Sequence, residues 1–385
     1  MMKTSPFLPI LAVLGVLIGC MAWWVLAQHP SYLDAAGHYY GQDFINYWAA
    51  PQIARHDVAA LFSIPDYNQA VEKLYGESMA AHVWSYPPQA LLLFAPFSLA
   101  SLKASFALWT LAGLGLFFFC AYRAAPAQPR LALLLTCFAP ATLLNGVYGQ
   151  NGFFTAALTL GALWLLQKRP ALSGMLLGLL TFKPQLGIIW PFLLIVQRQW
   201  RTIVIAVLTA AALVAVSMAV YGIAVWQQFF AVTVQWSADF IRTPPQNRNY
   251  EVMMVSFPLT LQQLGLGTVW AFRLQFLLAV GIVITLAMAL RHKLPFSLLA
   301  LLVTSGALLM TPYGFNYDMT AFSAVLAWRF VGGPLSDRQK LVYGIGYLLP
   351  GLVYWLYFFL PVAPFLLLAV YVSVLRESIH TRPDK

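Results

Sequence analysis

The sequence is short of charge. Only 9% of its 385 residues are Asp, Glu, Lys or Arg, against roughly 25% in water-soluble globular proteins, and 61% are hydrophobic. That deficit excludes a soluble single-domain enzyme. Cysteine is scarce too: Cys20, Cys120 and Cys137 all fall inside apolar runs, which excludes a disulfide framework and a Cys-x-x-Cys metal site. Acidic residues number 12 against 22 basic ones. The basic residues cluster between apolar stretches, so the imbalance reports orientation in a membrane rather than affinity for nucleic acid. No internal repeat and no low-complexity tract is present, and 15% aromatic residues fit no disordered chain. What remains is an all-α polytopic membrane protein, a single integral membrane domain over residues 1–385.

At the start of the chain, Leu17-Ile18-Gly19-Cys20 has the form of a lipoprotein cleavage box. The residues after Cys20 stay apolar to full spanning length, so an uncleaved first transmembrane helix is the better reading. Uncharged runs able to cross a bilayer, alone or paired across a polar break, fall near residues 7–27, 104–122, 130–147, 151–167, 171–183, 184–197, 201–223, 268–290, 296–312, 317–330, 341–358 and 362–376, about twelve in all. Gln89–Ala100 is apolar but short and follows Pro87-Pro88, and it reads as a half-helix or re-entrant piece. With that segment not spanning, most basic residues collect on one side, from Lys3 and Arg123 to Arg376, and most acids on the other. Orientation follows the basic residues, so both termini are expected in the cytoplasm. Two outer stretches result, residues 28–88 and 224–256. The first carries a weakly amphipathic pattern from Ile45 to Leu74, expected to lie as helices in the membrane interface.

Polar residues at a membrane border are expensive and tend to mark function. Six groups stand out: Gly41 to Trp48, Ser85 to Pro88, Tyr148 to Gly152, Lys183-Pro184-Gln185, Arg242 to Asn249, and Tyr313 to Asp318. In the topology chosen on charge alone, all six emerge on the extracytoplasmic face. That agreement points to one composite site.

Each residue has a bland reading beside the functional one. Asp43, in a loop rich in Tyr and Trp, suits a general base taking a proton from an attacking hydroxyl, or it is one solvated loop acid among several. Gln150 and Asn151 sit between glycines that permit tight turning, and their amides suit sugar hydroxyls or a phosphate; the alternative is a plain helix connection. Lys183 interrupts a long apolar stretch where Pro184 opens the backbone, so it faces an anionic phosphate or snorkels to the interface. Asp318 orients an acceptor or pairs with Lys183 or Arg273. Arg242 and Arg248 either grip a phosphate or belong to a solvated loop. The histidines show no metal spacing such as His-Glu-x-x-His.

Together these groups resemble bacterial glycosyltransferase family 87, membrane enzymes of the GT-C architecture that use polyprenyl-phosphate sugars. The likeness is carried by Asp43-Phe44-x-x-Tyr47-Trp48, Tyr86-Pro87-Pro88, Gly149-Gln150-Asn151, Lys183-Pro184-Gln185, and Pro312-Tyr313 with Tyr317-Asp318. The resemblance implies a GT-C-type bundle of about twelve transmembrane helices and a catalytic aspartate at Asp43. It implies that Lys183, Gln185, Gln150, Asn151, Arg242 and Arg248 gather around the donor phosphate and sugar. Tyr47, Trp48, Tyr86, Asn316 and Asp318 would meet the acceptor or stack on sugar rings. Inversion at the anomeric carbon without a metal or other cofactor is implied as well, and the chain has no Asp-x-Asp motif. One departure stands out: many relatives place a histidine near the late outer loop, whereas Tyr313 to Asp318 contains none.

The resulting expectation is a mannosyltransferase-like hexosyltransferase of the bacterial plasma membrane, multi-pass, with its site outside. Its partners would be a polyprenyl-phosphate-linked sugar, a glycan or glycolipid acceptor and membrane lipids, with no nucleic acid. A non-enzymatic carrier or flippase for lipid-linked saccharides is the rival; it would require inverted repeats and midplane polar groups.

Overall fold

The computed structural model describes residues 7–27, 43–76, 82–243, 246 and 250–380. Among these residues all regular structure is helical, apart from one isolated antiparallel bridge between Met254 and Phe315. Hydrocarbon offers no hydrogen bonds to the backbone, so a chain this apolar satisfies its peptide groups within helices. Four helices are long and apolar enough to cross a bilayer: Leu102–Ala124, Trp200–Tyr221, Thr268–Ala289 and Asp337–Phe359. A fifth arises if Pro129–Cys137 and Pro140–Tyr148, bent by 53°, count as one span. The other apolar helices are shorter, Gln89–Ser98 among them.

Proline sets many of the breaks. It occupies the first turn of the helices beginning at Pro129, Pro140, Pro170 and Trp190, where its missing N–H would have had no partner anyway. The runs expected as spans near 171–183 and 184–197 are consequently short pieces. Helix Pro170–Leu179 tightens into a 3₁₀ turn, Leu180–Phe182, then passes through Lys183 to a second 3₁₀ turn, Pro184–Gly187, before helix Trp190–Val196.

Residues 43–76 form two α-helices of different kind. Helix Phe44–His56 is buried over most of its length, because Phe44 and Tyr47 pack on Trp109 with ring centroids 5.7 and 4.8 Å away. Helix Ile64–Tyr75 is the amphipathic one and buries only Tyr67 and Val71. An aromatic cluster around Phe44, Tyr47, Trp84, Phe94 and Trp109 therefore seats helix Phe44–His56 on the bundle. A separate cluster joins Tyr148, Phe240, Met253, Phe315 and Tyr317. The polar groups converge between these two.

Candidate active site

The Asp43 backbone N–H donates to the Tyr148 carbonyl (3.1 Å), which ties the start of helix Phe44–His56 to the end of helix Pro140–Tyr148. Tyr47 follows one helical turn later, on the same face as Asp43. Gly149, at φ 67°, reverses the chain in the left-handed region that glycine enters without strain. Gln150 and Asn151 are thereby turned back toward Tyr47.

A continuous polar network results. The Tyr47 hydroxyl donates to Gln150 Oε1 (2.5 Å) and lies 2.8 Å from the Tyr86 hydroxyl. Asn151 Nδ2 donates to both phenols, at 2.9 and 2.7 Å. On its other side Asn151 Oδ1 accepts from Lys183 Nζ (3.1 Å), and Lys183 Nζ donates to Asp318 Oδ1 (2.5 Å). Asp318 Oδ2 accepts from the Phe315 backbone N–H (3.2 Å). Five separate segments of the chain are joined by these contacts.

Beside the network lies a cavity of about 260 Å³. Asp43, Tyr47, Tyr86, Gln150, Lys183 and Gln185 line it, with Tyr250, Tyr313, Phe315 and Tyr317 on another side and Phe229, Val234 and Trp236 closing it. Asp43 is 4% exposed, and its Oδ2 has no hydrogen-bond partner among the described residues. Burial pushes the Asp43 carboxyl up to about 6, while the Gln150 side-chain hydrogen bond and the Lys183 charge pull it back. Burial likewise holds the Tyr47 and Tyr86 phenols well above their ordinary range, so both act as neutral hydroxyls. A carboxylate with an unused oxygen and a raised affinity for protons suits proton abstraction near neutral pH.

The remaining expected residues fall elsewhere. Trp48 is buried but does not line the cavity; its Nε1 donates to the Ala100 carbonyl (2.9 Å). Asn316 Nδ2 donates to the Pro350 carbonyl (3.2 Å), and it too is absent from the cavity wall. Asp318 stands behind Lys183 rather than on that wall. Arg242 is exposed at the end of helix Val234–Arg242 and does not line the cavity. Arg248 lies outside the described residues. Among the described residues no group of three His, Cys, Asp or Glu gathers to hold a metal.

Sequence reasoning missed Asn145. Its Nδ2 donates to the Tyr317 carbonyl (2.7 Å) and Thr320 Oγ1 (2.6 Å), and its Oδ1 accepts from the Gly152 N–H (3.0 Å). It clamps the Gly149–Gly152 turn onto the segment bearing Asp318. The signal was available as a lone amide in an uncharged run. Tyr250, Tyr313 and Tyr317 were also not singled out as site residues, although the last two belong to a motif.

A model described as Glycosyltransferase family 87 matches residues 84–312. The match includes Tyr86, Gln150, Asn151 and Lys183, while Asp43 and Asp318 lie on either side of it. No curated protein and no solved structure matches the chain.

Proposed function

The chain belongs to glycosyltransferase family 87, and from that premise we propose that it transfers a sugar from a polyprenyl-phosphate donor to an acceptor hydroxyl, with Asp43 as general base. The observation that carries this reading is the buried Asp43 oxygen, without a hydrogen-bond partner among the described residues, on a cavity whose wall also bears Lys183. The acceptor O–H loses its proton to Asp43 as its oxygen attacks the anomeric carbon. The bond from that carbon to the phosphate oxygen breaks, and the electron pair leaves with the polyprenyl phosphate. Lys183 stabilises the departing negative charge. Attack from the face opposite the leaving group inverts the anomeric centre.

The cavity supports a monosaccharide donor. At about 260 Å³ it falls just below the usual range of ligand pockets, about 300–1,000 Å³, which suits one ring and its phosphate better than an oligosaccharide. We assign a hexose, with mannose the first to be tried. Tyr47, Tyr86 and Trp236 are the rings available to stack on it, with Gln150 and Gln185 for its hydroxyls and phosphate, while Asn151 stands off the cavity wall and holds Tyr47, Tyr86 and Lys183 in place. Lys183 rather than Arg242 takes the phosphate in this reading, because Arg242 stands off the cavity wall.

The wider setting follows the charge pattern: a GT-C-type bundle of about twelve spans in the bacterial plasma membrane, termini in the cytoplasm, cavity toward the outside. The acceptor is a glycan or glycolipid reached from the aqueous side. The test is transfer in proteoliposomes from radiolabelled polyprenyl-phosphate mannose to an envelope glycan extract. Transfer by the wild type and its loss in Asp43→Asn is expected. Full activity of Asp43→Asn would overturn the role of Asp43, and failure of every polyprenyl-phosphate sugar would overturn the donor.

A further inference from the structure

A second site stands at the far end of helix Thr320–Val331 from Asp318, about 16 Å away along the axis at 1.5 Å per residue. There Arg329 Nη2 donates to Glu377 Oε1 (2.5 Å), and Gln339 Nε2 and the Tyr343 hydroxyl donate to Glu377 Oε2, both at 2.9 Å. Next to this cluster Lys340 pairs with Asp337 (2.8 Å). A groove of about 690 Å³ runs between the start of helix Asp337–Phe359 and helix Ala363–His380.

The groove has two kinds of wall. Phe365, Leu368 and Val372 recur at helical spacing along one face and give an apolar channel. It ends at Arg338, Ser373 and Arg376, with both arginines exposed. Around that end the described residues bring together four cations, Arg329, Arg338, Lys340 and Arg376, and two carboxylates, Asp337 and Glu377. Basic pockets between membrane helices recognise anionic headgroups, and a guanidinium pair matches a phosphate geometrically.

We propose that this groove binds an anionic glycerophospholipid of the surrounding bilayer, with an acyl chain along Phe365, Leu368 and Val372 and the phosphate between Arg338 and Arg376. The apolar wall distinguishes a lipid from free phosphate. A second copy of the chain docking through the same face would bring like charges together. The site is independent of the sugar-transfer reading, since none of its residues touches the Asp43 cavity.

Native mass spectrometry of the purified full-length protein tests it, with phosphatidylglycerol, phosphatidylcholine or inorganic phosphate added to detergent micelles. Phosphatidylglycerol is expected to be retained at least about tenfold more strongly than phosphatidylcholine. Loss of each arginine should weaken it about fivefold, read in Arg338→Ala, Arg376→Ala and the double variant. Ala369→Trp fills the groove from an exposed position and leaves every charged side chain in the sequence, and it should displace both lipids. It also serves as the test if the arginine variants do not fold. Equal retention of the two lipids, phosphatidylglycerol surviving Ala369→Trp, or its displacement by inorganic phosphate would each overturn the proposal.

Discussion

Lys183 and Asp318, 135 positions apart in the chain, meet as an ion pair at 2.5 Å with both side chains shut away from solvent. Removing one partner of such a pair strands the other charge, at a cost of about 3–5 kcal/mol, whereas replacing both is close to neutral. Lys183→Met is therefore expected to lower the melting temperature in detergent sharply. Lys183→Met/Asp318→Asn should recover most of it. Transfer activity should stay lost in the double variant, because the phosphate still lacks its cation. A double variant that regains transfer would remove Lys183 from the chemistry.

Asp43 is expected to be a stability cost at neutral pH. Its carboxyl is raised from 3.8 to about 6 by burial, so the folded state holds the proton more tightly than the unfolded one. Stability from this group is full below about pH 4 and falls as pH rises through 6, by roughly 3 kcal/mol. Asp43→Asn should therefore melt higher than wild type at pH 8 and equal to it near pH 4. The same melting temperature at both pH values would contradict the burial of an ionised Asp43.

The same raised affinity shapes the rate. A general base must be unprotonated in the free enzyme, so kcat/KM should fall tenfold per unit below a midpoint of about pH 6. The measurement is initial transfer rate against pH in proteoliposomes. A flat profile between pH 5 and 8 would exclude Asp43 as the base.

Gly152 tests the clamp. A Cβ there would stand 2.0 Å from Asn145 Nδ2 and 2.4 Å from the Tyr317 carbonyl oxygen. Gly152→Ala must therefore push the two segments apart, at a cost of roughly 1–3 kcal/mol. Transfer should drop more than tenfold even at temperatures where the variant remains folded, as judged by its melting curve.

Much of the site was legible because membrane chemistry makes polar residues rare. Asp43, Gln150, Asn151 and Lys183 stood out against apolar runs, and their gathering in one network matches the single composite site that charge counting suggested. The role of Asp318 was only half legible: orienting an acceptor, pairing with Lys183 and pairing with Arg273 all stood open, and only folding brings position 183 to position 318. Trp48 was misleading for a related reason. It lies one residue from Tyr47, and successive helical residues face different directions, so its indole nitrogen reaches Ala100 while Tyr47 turns to the cavity. Where the apolar runs break was not legible, because an uncharged run does not reveal where Pro140 or Pro184 will cut it.

Helix Thr320–Val331 is moored at both ends, by Asp318 to Lys183 just before its first turn and by Arg329 to Glu377 in its last. A rod tied at both ends resists sliding and rolling, so Lys183 on the cavity wall has a fixed backing. The roof is built differently. Phe229–Thr233 is a π-helical turn set between two short helices, and Phe230 and Val232 on it face outward. Such turns are rare and frequently lie at functional sites. If the donor is the lipid-linked sugar proposed above, it meets a cavity whose two sides differ in kind, a π-helical turn on one and a doubly tied ion pair on the other.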